Sequence, residues 1–204
     1  MGIFNRIFRS KPFDNDIFDV DALICGGYKW LLGPYSLGLA YFNHKFDGGE
    51  PLEENWVARK DSDNFAKLVD YEPNYKPFAH RYSVGESSNF ALLPMLIESI
   101  QQLNSWGQDN IQSYCKSIST KAIQQISEMG GSIESSEFRG THLFGVRLGS
   151  AFEIDVLQKA FKKNNVFVSQ RGNAIRIAPH VYNTEGDFEK LVNCFEEAWI
   201  RKWV

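Results

Sequence analysis

Long apolar runs, paired cysteines and an excess of charge of either sign are all missing from this 204-residue sequence. No stretch approaches the roughly 20 apolar residues that a membrane-spanning helix requires, so no helical span is expected. The three cysteines, Cys25, Cys115 and Cys194, are odd in number, far apart and without metal-ligand spacing. They indicate neither a disulfide framework nor a metal centre, and read as small hydrophobes in a reduced, cytoplasmic protein. The formal net charge is only −3, which offers nothing to attract nucleic acid or an anionic membrane. The N-terminal MGIFNRIFRSKPF has too short an apolar part for a signal peptide and no small-residue cleavage site. It reads as a frayed tail rather than a basic amphipathic turn. Internal repeats and low-complexity segments are absent.

What is present is ordinary for a globular chain: 43% hydrophobic and 23% charged residues, enough for one large domain or two small ones. The chain is organised around residues 21–42, DALICGGYKWLLGPYSLGLAYF. Leu23, Ile24 and Cys25 form a short apolar run ending at Gly26 and Gly27, the pattern of a buried strand reaching its end. Lys29 follows between Tyr28 and Trp30, Gly33 and Pro34 break the chain, and residues 37–42 resume as a strand. Two readings of Lys29 stand side by side. Among aromatic neighbours a desolvated lysine has a lowered pKa and a more nucleophilic amine, whereas a snorkelling lysine keeps its head in water.

Residues 1–20 show no clear period and are assigned no structure. Residues 44–77 are polar and broken by glycine and proline, with one short helix expected around 64–69 and with Trp56 and Tyr75 expected to cover apolar groups. Leu93, Leu96, Ile97, Ile100 and Leu103 then make one helical face, with Pro94 tolerable only in its first turn. Ser87, Ser88 and Asn89 precede it as caps, or as a site where unpaired backbone N–H groups hold a phosphate. A second helix runs from Ile111 to Met129 and stops at Gly130 and Gly131. Residues 143–148 form a strand, and Ile154, Leu157, Ala160 and Phe161 mark a helix ended by Asn164 and Asn165. Residues 166–168 and 175–177 are expected as two strands joined at Gly172 and Asn173. Thr184 and Asp187 fit a capping box opening a last helix with Phe188, Leu191, Val192, Phe195 and Trp199 on one face. Strand, helix, hairpin and helix in that order predict a small α/β layer.

Three segments in this order, GGYKWLLGP with GLAYF, RYSVGESSNF (81–90) and IRIAPHVYNTEGDF (175–188), resemble the class V aminotransferase family. These are pyridoxal-phosphate enzymes of fold type I that include cysteine desulfurases, kynureninases and isopenicillin-N-epimerase-like proteins. The resemblance runs from about Asp21 to the C-terminus and corresponds to the second half of a family member. It implies the end of a large cofactor-binding domain (residues 21–90, after a partial N-terminal segment 1–20) followed by a small α/β domain (residues 91–204). It implies pyridoxal 5'-phosphate on Lys29 as a Schiff base, with Tyr28, Ser88 and Asn89 toward the phosphate, Asn89 ahead of Ser88 and reaching a partner subunit's cofactor. Trp56 stands where family members place a tryptophan that approaches a neighbouring subunit. Arg176 corresponds to the arginine that holds the substrate's α-carboxylate, while His180 and Asn183 shape the turn after it.

The resemblance also has gaps. The family's aspartate facing the pyridine nitrogen lies on an upstream strand, and neither Asp14, Asp16, Asp19 nor Asp21 has that context. The ring-stacking residue and the phosphate loop of the first half have no counterpart. Ser36 replaces a glycine, which implies strain if φ is positive there. No cysteine lies between Thr141 and Arg176, which disfavours persulfide chemistry. The sequence therefore reads as a truncated class V transferase or lyase acting on an amino acid or amine, as a homodimer or with a complementary N-terminal half. The alternative is a non-catalytic domain with a structural or protein-interaction role. No metal is expected.

Overall fold

The computed structural model describes residues 20–87 and 89–199, and these divide into two compact units at residues 105 and 106. Strand β1 (Ala22–Gly26) and strand β2 (Gly38–Phe42) open the first unit as an antiparallel ribbon. Their register pairs Ile24 with Ala40 and Gly26 with Gly38. A Cβ on Gly38 would lie 2.8 Å from the Cys25 carbonyl oxygen, so only glycine lets the strands approach here. The expected buried strand is corrected by this pairing. The ribbon has two strands, and Ile24 is 59% exposed, because an isolated hairpin has no second layer to cover both faces.

Residues 44–82 carry single 3₁₀ turns rather than longer helices. The helix expected around residues 64–69 is one such turn, Phe65–Lys67. Trp56 is half exposed and meets the Phe65 ring edge-on at 6.1 Å. Polar locks hold this segment. The Arg59 guanidinium lies 3.9 Å from the centre of the Tyr75 ring, donates to the Pro73 carbonyl at 2.7 Å and pairs with Glu54 at 2.6 Å. Helix α1 (Leu93–Trp106) closes the unit, with Pro94 in its first turn and Leu96 and Leu103 buried.

The second unit is a four-stranded antiparallel sheet in the order β3-β4-β6-β5. Its strands are β3 (Ser132–Ile133), β4 (Phe144–Arg147), β5 (Ser169–Arg171) and β6 (Ala174–Ile177). Helices α2 (Gln108–Glu128), α3 (Ile154–Lys163) and α4 (Glu185–Ala198) contribute the other half of one core. Ile118, Ala122 and Ile126 of α2, Val146, Ile175 and Ile177 of the sheet, and Leu191 and Phe195 of α4 belong to it. Gly130 at φ +98° ends α2, and the Gly131 N–H returns to the Ile126 carbonyl. Thr184 and Asp187 make both bonds of the expected capping box.

Residues 166–168 are not a strand. Asn165 is at φ +54° and the Val166 N–H bonds back to the Phe161 carbonyl, so this stretch finishes α3. The strand begins at Ser169, where β6 supplies a partner. The start of α2 is tied to both sides of the sheet's central pair. The Gln112 amide lies 2.8 Å from His142 Nδ1, and Thr141 Oγ1 donates to the Gln112 carbonyl at 2.9 Å. Tyr114 Oη donates to the Asn183 carbonyl at 2.8 Å. His180 and Asn183 shape the turn between β6 and α4 by bonding each other's backbone. No helix among the described residues is long and apolar enough to cross a membrane.

Candidate functional site

Lys29 lies within a closed turn. The Gly33 N–H donates to the Gly27 carbonyl at 2.8 Å, the Gly27 N–H to the Leu37 carbonyl at 2.8 Å, and the Leu32 N–H to the Lys29 carbonyl at 3.0 Å. Both framing glycines are closely packed. A Cβ on Gly33 would lie 2.6 Å from Leu96 Cδ1, and one on Gly27 would lie 3.1 Å from the same atom. Leu96 belongs to α1, so the helix that follows the serine–asparagine segment is seated directly on the frame that holds the lysine. Tyr28 is half-buried and stacks on Tyr35 with ring centres 4.6 Å apart.

The Lys29 ammonium lies 5.2 Å from the centre of the Tyr28 ring, and its side chain is exposed. The desolvated reading of this lysine is thereby corrected, since within the described residues no layer of the protein removes its water. It also enters no ion pair among the described residues, which leaves its nitrogen available to a carbonyl compound. Asp21 is paired with Lys45. Asp14, Asp16 and Asp19 lie outside the described residues.

Ser36 sits at φ +70° and Leu32 at φ +56°. A β-carbon at positive φ costs about 1 kcal/mol or more, so the turn stores strain in the loop carrying the lysine. Ser36→Gly is expected to raise stability by about 0.5–1 kcal/mol, measured as a higher denaturation midpoint at unchanged slope. A lower midpoint would remove the strain argument.

Asn89 is a cap. Its Oδ1 accepts the Leu92 N–H at 2.9 Å, and its carbonyl accepts the Leu93 N–H at 3.0 Å. These bonds use the amide oxygen and the backbone carbonyl. Ser88 lies outside the described residues. Arg176 is in the second unit, on the central strand β6, exposed and in no ion pair among the described residues. The lysine turn and α1 belong to one unit and Arg176 to the other. Among the described residues no group of three or more His, Cys, Asp or Glu is placed to hold a metal. Cys115 and Cys194 are buried; burial pushes the Cys115 thiol up to about 11, which keeps it protonated and inert.

Sequence reasoning missed two neighbours of Arg176, namely Arg147 and Arg171. They come beside it only through the strand register.

No family model matches the chain. An uncharacterised aminotransferase of Bacillus subtilis, YcbU, is 26% identical over 185 residues, which cover 89% of this chain and 46% of that protein. The structure of the cystine C–S lyase C-DES in complex with its product cysteine persulfide is similar at a TM-score of 0.76 and 15% identity, over 94% of this chain and 50% of that one. The apo cysteine desulfurase of Thermococcus onnurineus NA1 is similar at a TM-score of 0.70 and 17% identity, over 90% and 48%. The chain spans about half the length of each. At these identities the structural likeness establishes the fold, which is the α/β architecture of the C-terminal part of the fold-type-I enzymes. The resemblance to the class V aminotransferases stands on the relative and the fold together.

Proposed function

We propose that this chain supplies the cofactor lysine and the substrate-carboxylate arginine of a pyridoxal-phosphate-dependent enzyme of class V aminotransferase type, acting on an amino acid or amine. The observation that carries this reading is the Lys29 turn. A lone lysine is held in a glycine-framed loop, exposed and in no ion pair among the described residues, with α1 packed on the frame through Leu96.

The residues present fit part of the cofactor. Lys29 provides the amine for its aldehyde. The Tyr28 hydroxyl and the Asn89 Nδ2 are donors of the kind a phosphate needs, and Ser88 belongs to the same segment. When bound, pyridoxal phosphate supplies an electron sink for the bonds at the substrate's α-carbon. The chain's own contributions are an amine that can take up or return a proton at Nζ and, at Arg176, a planar fork that orients a carboxylate at two points. Asp21 opens the lysine strand and is paired with Lys45, so it is not taken as the carboxylate for the pyridine nitrogen. In this reading a complementary N-terminal half provides that group, and the working assembly is a dimer in which Asn89 and Ser88 serve a neighbouring subunit's site. Persulfide chemistry is outside the proposal, since residues 141–176 contain no cysteine.

The test is reductive trapping. The purified chain is incubated with pyridoxal phosphate and borohydride, and the modified peptide is identified by mass. Modification concentrated on Lys29 and lost in Lys29→Ala is expected. Labelling spread evenly over the surface lysines, and unchanged in that variant, would leave the non-catalytic structural reading in its place.

A further inference from the structure

The open face of the second unit's sheet is strongly and one-sidedly basic. Side chains alternate across a strand, and the buried positions Phe144, Val146, Ile175 and Ile177 face the helices, so Gly145, Arg147, Ala174 and Arg176 face the other way. The register places Gly145 and Ser169 opposite Arg176, and places Arg147 and Arg171 on either side of Ala174. Arg176 therefore has an arginine at the diagonal position on each neighbouring strand, where side chains come within about 7–8 Å of one another. All three are exposed, and none enters an ion pair among the described residues. Among the described residues, Arg171 Nη1 donates to the Gln170 carbonyl at 3.2 Å.

Two further features mark this as a prepared surface. No aspartate or glutamate occurs at any paired position of the ladder, although the chain as a whole carries a net charge of −3. The positions directly beside Arg176 are small, and a Cβ built on Gly145 would meet nothing within 4 Å. Three like charges thus border open ground, a placement that opposes folding and that a bound anion relieves.

We infer that this face selects a substrate with two acidic groups, a dicarboxylic amino acid or its oxo acid. Arg176 takes the α-carboxylate, and Arg147 and Arg171 hold the distal one. The inference rests on the role proposed for Arg176. A single phosphate does not need three guanidinium groups spread over three strands. Each planar fork matches one carboxylate bidentately. A nucleic-acid surface would add exposed aromatic rings for stacking, and the ladder positions of this face have none.

The test compares glutarate, butyrate and inorganic phosphate as probes in calorimetric titrations of the full chain at low ionic strength. Glutarate is expected to bind about tenfold more tightly than butyrate, which is about 1.4 kcal/mol, and more tightly than phosphate. The double variant Arg147→Gln, Arg171→Gln should lower glutarate to the level of butyrate and leave butyrate unchanged. Arg176→Gln should weaken both organic acids. These side chains point away from the core, and circular dichroism checks that each variant is folded. Equal binding of glutarate and butyrate to the unmodified chain, with both lost in Arg176→Gln, would overturn the inference while keeping the role of Arg176. If Arg176→Gln altered neither, that role would fall and the inference with it. Phosphate binding as tightly as glutarate, or no probe binding at all, would also overturn the inference.

Discussion

Phe195→Ala is expected to unfold much of the second unit, with a loss of about 3–5 kcal/mol set against the 5–15 kcal/mol typical of a whole domain. Phe195 is fully buried on α4, and its ring meets Phe152 edge-on at 5.3 Å and Phe161 edge-on at 5.9 Å. Removing it deletes an aromatic that links α4 both to α3 and to the loop before α3, and it leaves a cavity in a close-packed core. The functional consequence reaches Arg176, since Ile175 and Ile177, on either side of it along β6, lie in the same core. Urea denaturation followed by far-ultraviolet circular dichroism measures the loss. A midpoint equivalent to less than about 1 kcal/mol of destabilisation would mean that the three helices do not depend on this contact.

Mild acid is the second large effect. His142 is 4% exposed, and burial, reinforced by the nearby His180, lowers its pKa from 6.5 to about 4. Burial also lowers that of His180. The Gln112 amide lies against His142, and the rings of Trp106 and Tyr182 lie against His180. Burial of the neutral rings is the main cause of both shifts. The unfolded chain takes up protons near pH 6.5 and the folded chain does not. Stability is therefore complete above about pH 6.5 and declines as the pH falls toward 4, by about 3 kcal/mol for His142 alone. The melting temperature should drop steadily between pH 7 and pH 5, before the carboxylates begin to titrate. His142→Gln should flatten that slope. A slope equal to that of the unmodified chain would assign the acid sensitivity elsewhere, and an unchanged melting temperature from pH 7 to pH 5 would refute the argument.

Much of the architecture was legible in the residues because it depends on local chemistry. The 3.6-residue periods of α2 and α4, the glycines that end α2, the Thr184–Asp187 capping box and the Gly172 turn at φ +59° are each set within a few positions of the chain. The lysine turn was legible for the same reason, and so was the positive φ suspected at Ser36. The misplaced strand had a non-local cause. Val166, Phe167 and Val168 have the composition of a strand, but the Val166 N–H was already committed to α3, and pairing waited for Ser169. β3 escaped notice altogether, since two residues carry no period and exist as a strand only through β4.

By itself the sequence determined the apolar faces of the long helices and the glycines that end α2, the turn chemistry around Gly172, and that Lys29 stands alone between Tyr28 and Trp30. These follow from backbone sterics and side-chain period, which act over a few residues. Only the tertiary structure decided that Lys29 is exposed, that His142 lies against Gln112 thirty positions away, and that Arg147 and Arg171 flank Arg176. Arg147 and Arg176 are far apart along the chain, and nothing in either neighbourhood names the other. A one-residue slip in the pairing of β4 with β6 would turn one of them toward the core. The basic face is therefore a property of the register, and the register is set by which apolar residues the helices bury.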